Sequence, residues 1–286
     1  MADLEKYLNK NNEIVACRLG DLNKETEYAL NYFKVEAPAL IDNVENGTEV
    51  ILVDHNEFIQ SANNIENAKI IKVVDHHRIC GFQTAEPLFY MAEPVGCTST
   101  ILYSIYKINN IEITPTIAGL MLSAIISDTL LLKSPTTTIK DIKAVEELAK
   151  IAGINYNNYG LDMLKAGTDL SSYSASELIN IDAKCVDMNG NKVKIAQVNT
   201  VDIKDVLKSQ SEIENAINNT ISSENLDLFV FAITDIINSN SEAIVLGKRI
   251  DIFEKAFNVK LENNTAFLPG VVSRKKQILP VMQANA

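Results

Sequence analysis

Positive charge is scarce in this chain. Only 26 lysines and arginines stand against 37 acids, a net charge of −11 over 286 residues with an isoelectric point near 4.9. That balance argues against nucleic acid as a partner, because nucleic acid selects a basic face; it suits a soluble cytoplasmic protein. Cysteine is scarce as well. Cys17, Cys80, Cys97 and Cys185 lie far apart, with no C-x-x-C pair. The expectation is four reduced, buried thiols, without a zinc site or a disulfide framework. No signal peptide is apparent. The longest apolar helical run, Ile117 to Ile126, is well short of the roughly 20 residues that a membrane span needs. Internal repeats and low-complexity tracts are missing too. Histidine is rarest of all. There are three, and two of them are adjacent.

What is present is globular. The chain is 47% hydrophobic and 22% charged, and its length suits about two domains. "ADLEKYLNKN" places Leu4, Tyr7 and Leu8 on one helical face, and "EIVACRL" reads as a strand. "KETEYALNYFK" is an amphipathic helix, while "EVILVDH" and "AKIIKVVDHH" are buried strands. Two helices follow, "CTSTILYSIYKI" and "TPTIAGLMLSAIISD". The second has Thr114 as N-cap and Pro115 as first helical residue, and it is apolar almost all round, so it is buried. "IKDIKAVEELAKIAG" is a surface helix closed by Gly153. This alternation predicts an α/β fold with a parallel sheet over residues 1–167. Small polar residues mark a linker at 168–174. A smaller α/β domain then spans 175–286, with strands "KVKIAQVNTV", "LDLFVFAITDI" and "SEAIVLG" and a helix "SEIENAINNTISS". One feature is unusual for a doubly wound sheet, which ordinarily opens with a strand: this chain opens in a helix.

Three apolar elements end in acids. Asp54 and His55 end one strand, Asp75, His76 and His77 end the next, and Asp128 ends the buried helix. Ligands of open parallel sheets bind beyond the carboxyl ends of the strands, so neighbouring strands would aim Asp54 and the histidines at one crevice. A lone Asp after a strand is more often a cap or turn residue. Adjacent histidines beside a second Asp-His weaken that reading. An ionised Asp128 after an apolar helix costs several kcal/mol unless it is paired or bound to a cation, and the helix dipole disfavours it further. Carboxylates mixed with imidazoles suit Mn²⁺, Co²⁺ or Fe²⁺. Two such ions about 4 Å apart can clamp the attacking and leaving oxygens of a phosphoryl transfer. The inferred chemistry is metal-assisted hydrolysis of a phosphate ester or anhydride. "VVSRKKQILP" adds a basic cluster, Arg274 to Lys276. It reads either as a solvated turn before a last strand or as a clamp on phosphate.

These segments resemble one family. "VDHNE" at 53–57, "VVDHHR" at 73–78, "AEPVGCT" at 92–98, "AGLMLSAIISDTL" at 118–130, "LKAGTDL" at 164–170 and "SRKKQ" at 273–277 are similar, in order, to the family II, manganese-dependent inorganic pyrophosphatases of the DHH phosphoesterase superfamily. The resemblance implies hydrolysis of pyrophosphate to two phosphates at a cluster of two or more Mn²⁺ ions, with Co²⁺ or Mg²⁺ as substitutes, between two domains of a homodimer. It implies Asp54 as a ligand bridging two metals and His76 and Asp128 as further ligands of one of them. His77 would approach and polarise the substrate, and Lys184, Arg274 and Lys275 would hold the phosphates. The family's opening strand, with its G-H-x-N-P-D-T-D motif, has no counterpart here. Three readings stay open: a pyrophosphatase whose recorded start is internal, and which is then weakly active or inactive as written; a non-catalytic metal-binding relative; and another DHH phosphoesterase acting on short oligonucleotides.

Overall fold

The structure, a computed structural model, describes residues 1–9 and 13–285. It divides into two compact units, Met1–Gly167 and Thr168–Ala286.

In the first unit, α1 (Ala2–Leu8) leads to a two-stranded parallel sheet of β1 (Cys17–Arg18) and β2 (Ala39–Leu40), with α2 (Lys24–Phe33) between them. A second sheet has the order β3 (Glu49–Val53), β4 (Lys69–Asp75), β5 (Phe89–Ala92), all parallel. The helices α3 (Thr98–Ile108), α4 (Pro115–Thr129), α5 (Ile139–Ala152) and α6 (Tyr156–Gly167) complete the unit. Central β4 buries Val73, Val74 and Asp75 completely, because it has a strand on each side. The predicted capping is present. The Thr114 hydroxyl accepts from the Ile117 amide with Pro115 at the first turn, and Gly153 closes α5 at φ 70°. Around α4 pack α2, α3, α5 and α6, which is why an all-round apolar helix is stable there.

Several expectations need correction. Of Leu4, Tyr7 and Leu8, only Leu4 is buried, and α1 ends at Leu8; Lys10 and Asn11 of that stretch lie outside the described residues. "EIVACRL" pairs over two residues only, since β2 offers no more partners. "EVILVDH" is less buried than an interior strand. Among the described residues β3 is an edge, bonded to β4 alone, and only Leu52 is fully covered. Of the four cysteines, Cys97 alone is buried and the other three are exposed.

The second unit carries α7 (Ala175–Leu178), β6 (Ala183–Met188), β7 (Asn191–Thr200), α8 (Ile203–Leu207), α9 (Gln210–Glu224), β8 (Leu228–Asp235), β9 (Asn240–Gly247), α10 (Ile250–Phe257), β10 (Thr265–Pro269) and α11 (Leu279–Asn285). Its five-stranded mixed sheet runs β10-β9-β8-β7-β6, parallel only between β7 and β8. β8 is buried throughout, and its alternation feeds two cores. Leu228, Val230 and Ala232 meet Ile252, Phe253 and Met282, whereas Phe229, Phe231 and Ile233 meet Ile179, Ile213 and Ile217. The period of two along a strand covered on both faces produces this split. β6 and β10 go beyond the strands that the sequence predicts. Among the described residues no strand follows the basic cluster: Arg274–Ile278 form a π-helical turn running into α11. In the expected linker, Leu170 packs on the second unit's core and Ser174 caps α7 through a capping box with Glu177.

Candidate metal centre

β3 and β4 are parallel neighbours in register, with Val53 opposite Val74. Their carboxyl ends therefore bring Asp54 and the two histidines together. Ligand atoms of Asp54, His76 and His77 all lie within 4.8 Å of one another, and His76 Nε2 is 3.6 Å from Asp54 Oδ1. Asp54 sits at φ 68°, a left-handed conformation that is uncommon outside Gly, Asn and Asp and is concentrated at functional sites. His76 Nδ1 lies 2.9 Å from the Val95 carbonyl. A carbonyl can only accept, so Nδ1 carries the hydrogen and the Nε2 lone pair is left for a cation. His77 Nδ1 donates to Asp75 Oδ1 at 2.8 Å.

Asp75 is wholly buried. Burial by itself would raise its pKa, but hydrogen bonds from the Asn56 side chain, the His77 amide and the His77 ring hold it below the usual carboxylate range. Burial works against His77 protonation, and the Asp75 hydrogen bond and charge, with Asp54 and Asp128 beyond, prevail and raise its pKa. Asp128 approaches from the end of α4. Desolvation first, and the Asp54 charge, lift its pKa against the hydrogen bond from Cys97 and the charges of His76 and His77. Contrary to expectation Asp128 is exposed, because α4 ends one residue later and the chain turns through three left-handed leucines, Leu130 to Leu132. Its carboxylate is not part of the tight group of three. His55, expected in the same crevice, turns away: Nδ1 binds the Val53 carbonyl and Nε2 the Ser61 hydroxyl.

Oxygen and imidazole donors with no thiolate among them fit Mn²⁺. Asp54 and His76 would hold it, with Asp128 within electrostatic reach.

In the second unit Arg274 reaches Asp182 with a forked contact, Nη2 to Oδ1 at 2.7 Å and Nε to Oδ2 at 3.2 Å. Its amide donates to Gln197 Oε1 at 2.7 Å. Arg274, Lys275, Asp182, Gln197 and Asn199 line a cavity of ≈380 Å³. Lys184 is exposed on β6, outside that lining.

Comparison with known proteins identifies the family. Residues 2–125 match the DHH family, N-terminal domain, and residues 161–285 match the DHHA2 domain. The manganese-dependent inorganic pyrophosphatase of Bacillus subtilis is 57% identical over 98% of this chain and 91% of its own length. The chain belongs to the manganese-dependent, family II inorganic pyrophosphatases. An Exiguobacterium protein named "Probable manganese-dependent inorganic pyrophosphatase" is 59% identical over 100% of the chain and 92% of its own length. A solved structure, "Methanococcus jannaschii putative family II inorganic pyrophosphatase", is 45% identical and superposes with a TM-score of 0.57 over 94% of this chain and 90% of that one.

Other polar contacts surround this group without a strong mark in the sequence pattern. Asn56 is buried and bridges Asp75 Oδ2 (2.7 Å), the Arg78 carbonyl (2.9 Å) and the Cys80 amide (3.1 Å). Val95 acts through its carbonyl. The one available signal was the polar Asn56 following Asp-His at a strand end.

Proposed function

We infer that this chain hydrolyses inorganic pyrophosphate to two phosphates with Mn²⁺. The observation that carries the reading is the Asp54–His76–His77 group at the ends of adjacent parallel strands, in a chain 57% identical to a manganese-dependent inorganic pyrophosphatase. Asp54, His76 and Asp128 would hold the metal. Bound Mn²⁺ supplies Lewis-acid polarisation of a phosphoryl oxygen and lowers the pKa of water. His77, kept protonated over a wider pH range by Asp75, presents its second N–H to an anionic oxygen. Lys184, Arg274 and Lys275 bind phosphate, and the Asp182 fork holds the Arg274 guanidinium flat and ready for bidentate contact. The same reading includes a cytoplasmic homodimer. Three exposed free thiols suit a reducing compartment, and the edge strand β5 exposes Phe89.

The test is phosphate release from pyrophosphate and from a short oligonucleotide, with Mn²⁺, in wild type and Asp54→Asn. Turnover of pyrophosphate that is lost in the variant is expected. Preference for the oligonucleotide would point to a different phosphoesterase.

A further inference from the structure

His76 is held from the turn at 95–97. Val95 takes the His76 Nδ1 hydrogen through its carbonyl, and Cys97 beyond it is buried, 2% exposed. Between them is Gly96, whose amide donates to Asp141 Oδ2 at 2.9 Å. Asp141 is completely buried and is 45 residues away along the chain. Its other oxygen accepts from the Thr100 hydroxyl at 2.6 Å, and Oδ2 also accepts from the Thr138 amide (2.7 Å) and hydroxyl (2.6 Å).

As a helix cap, Asp141 would need only the Thr138 donors. The donors from Gly96 and Thr100 tie the start of α5 to the turn and to α3. The turn has no slack, since a Cβ at Gly96 would lie 2.6 Å from Thr129 Cγ2 and 3.0 Å from Asp141 Oδ2. A carbonyl orients His76 only as well as the turn carrying it is held. We propose that Asp141 is a positioning residue of the metal centre. By pinning the Gly96 amide it fixes the Val95 carbonyl, and through it the His76 tautomer that aims Nε2 at the cation. Groups of this kind behind a metal-bound histidine govern affinity by about 10–100-fold. The inference rests on the reading of His76 as a ligand.

Three histidines make the test tractable. Long-range ¹H–¹⁵N spectra of the metal-free protein above neutral pH, assigned with single histidine variants, report which nitrogen of each ring carries hydrogen. Calorimetry on the same samples gives Mn²⁺ affinity. Asp141→Ala is expected to replace the single Nδ1–H form of His76 with a mixture and to weaken Mn²⁺ binding about 10–100-fold. Asp141→Asn, which keeps an acceptor for Gly96, should restore both. Thr138→Ala strips another cap from the same helix and should lower the melting temperature while leaving tautomer and affinity unchanged. If Asp141→Ala does not fold, Gly96→Ala keeps the capping box and displaces the turn, with the same losses expected. A folded Asp141→Ala or Gly96→Ala with wild-type tautomer and affinity overturns the proposal. Mn²⁺ affinity indifferent to His76→Ala would instead overturn the reading of His76 as a ligand.

Discussion

At the scale of single residues, two buried polar side chains, Asn56 and Asp141, join separate elements by hydrogen bonds. Asn56 completes the Asp75 carboxylate, and Asn56→Ala leaves that buried acceptor short of a donor, at a cost of about 1–3 kcal/mol. Urea unfolding of the metal-free variant measures it. Asp141 has a depressed pKa. Its burial would raise the value, but bonds from Thr100, Thr138 and Gly96 prevail. A depressed native pKa means stability that is present above the unfolded value, about 3.9, and lost as pH falls through the native one. Asp141→Asn should therefore be less stable than wild type at neutral pH. Between about pH 5 and 3 it should lose stability less steeply, as read from urea midpoints across that range. Asp75 and Asp128 were legible in the sequence because each ends an apolar run. Asp141 was not, because a carboxylate three residues into a helix looks like any solvated capping acid until its partners from other elements are seen.

Secondary-structure elements decide how these residues meet. The parallel pairing of β3 with β4 brings the two strand ends to one edge, and β5 beside β4 completes its burial. In the second unit the β8–β9 pairing depends on Gly247, at φ 132°, where a Cβ would meet the Asp227 carbonyl oxygen at 2.5 Å. Gly247→Ala should cost on the order of 1–3 kcal/mol from backbone strain alone, with more from the overlap, and calorimetric melting checks it. The SRKKQ segment is a π-helical turn capped by Ser273, whose hydroxyl accepts from the Lys276 backbone amide, and such turns are frequent at functional sites. Arg274→Ala should slow pyrophosphate turnover by on the order of 3 kcal/mol in barrier and leave Mn²⁺ affinity close to wild type. Equal turnover would return the segment to a purely structural role. Runs of β-branched residues announced β4, β7 and β8. β1 was announced longer than it forms, and the short β2 and β10 could not be announced, since a few residues gain strand character only from a partner.

For the molecule as a whole, acidity and metal binding act together. A chain carrying −11 gathers acids at the ends of β3 and α4, where desolvation, and then the Asp54 charge, raise the Asp128 pKa. A bound cation relieves that repulsion. Mn²⁺ at 100 times its dissociation constant should stabilise the folded protein by about 2.7 kcal/mol, seen as a higher melting temperature that chelation reverses. In Asp54→Asn the increment should shrink. Among the described residues no helix is long and apolar enough to cross a membrane.

By itself the sequence determined the α/β class, the capped and buried α4, the strands that end in Asp54 and Asp75, and the basic cluster at Arg274. Each of these is written in local periodicity and in residue chemistry at fixed spacing. Only the tertiary structure decided that His55 faces away, that Asp128 opens to solvent, that Arg274 is forked on Asp182, and that Asp141 grips the Gly96 turn. Those outcomes depend on which hydrogen-bond partners distant parts of the chain bring within about 3 Å, and local periodicity carries no record of that.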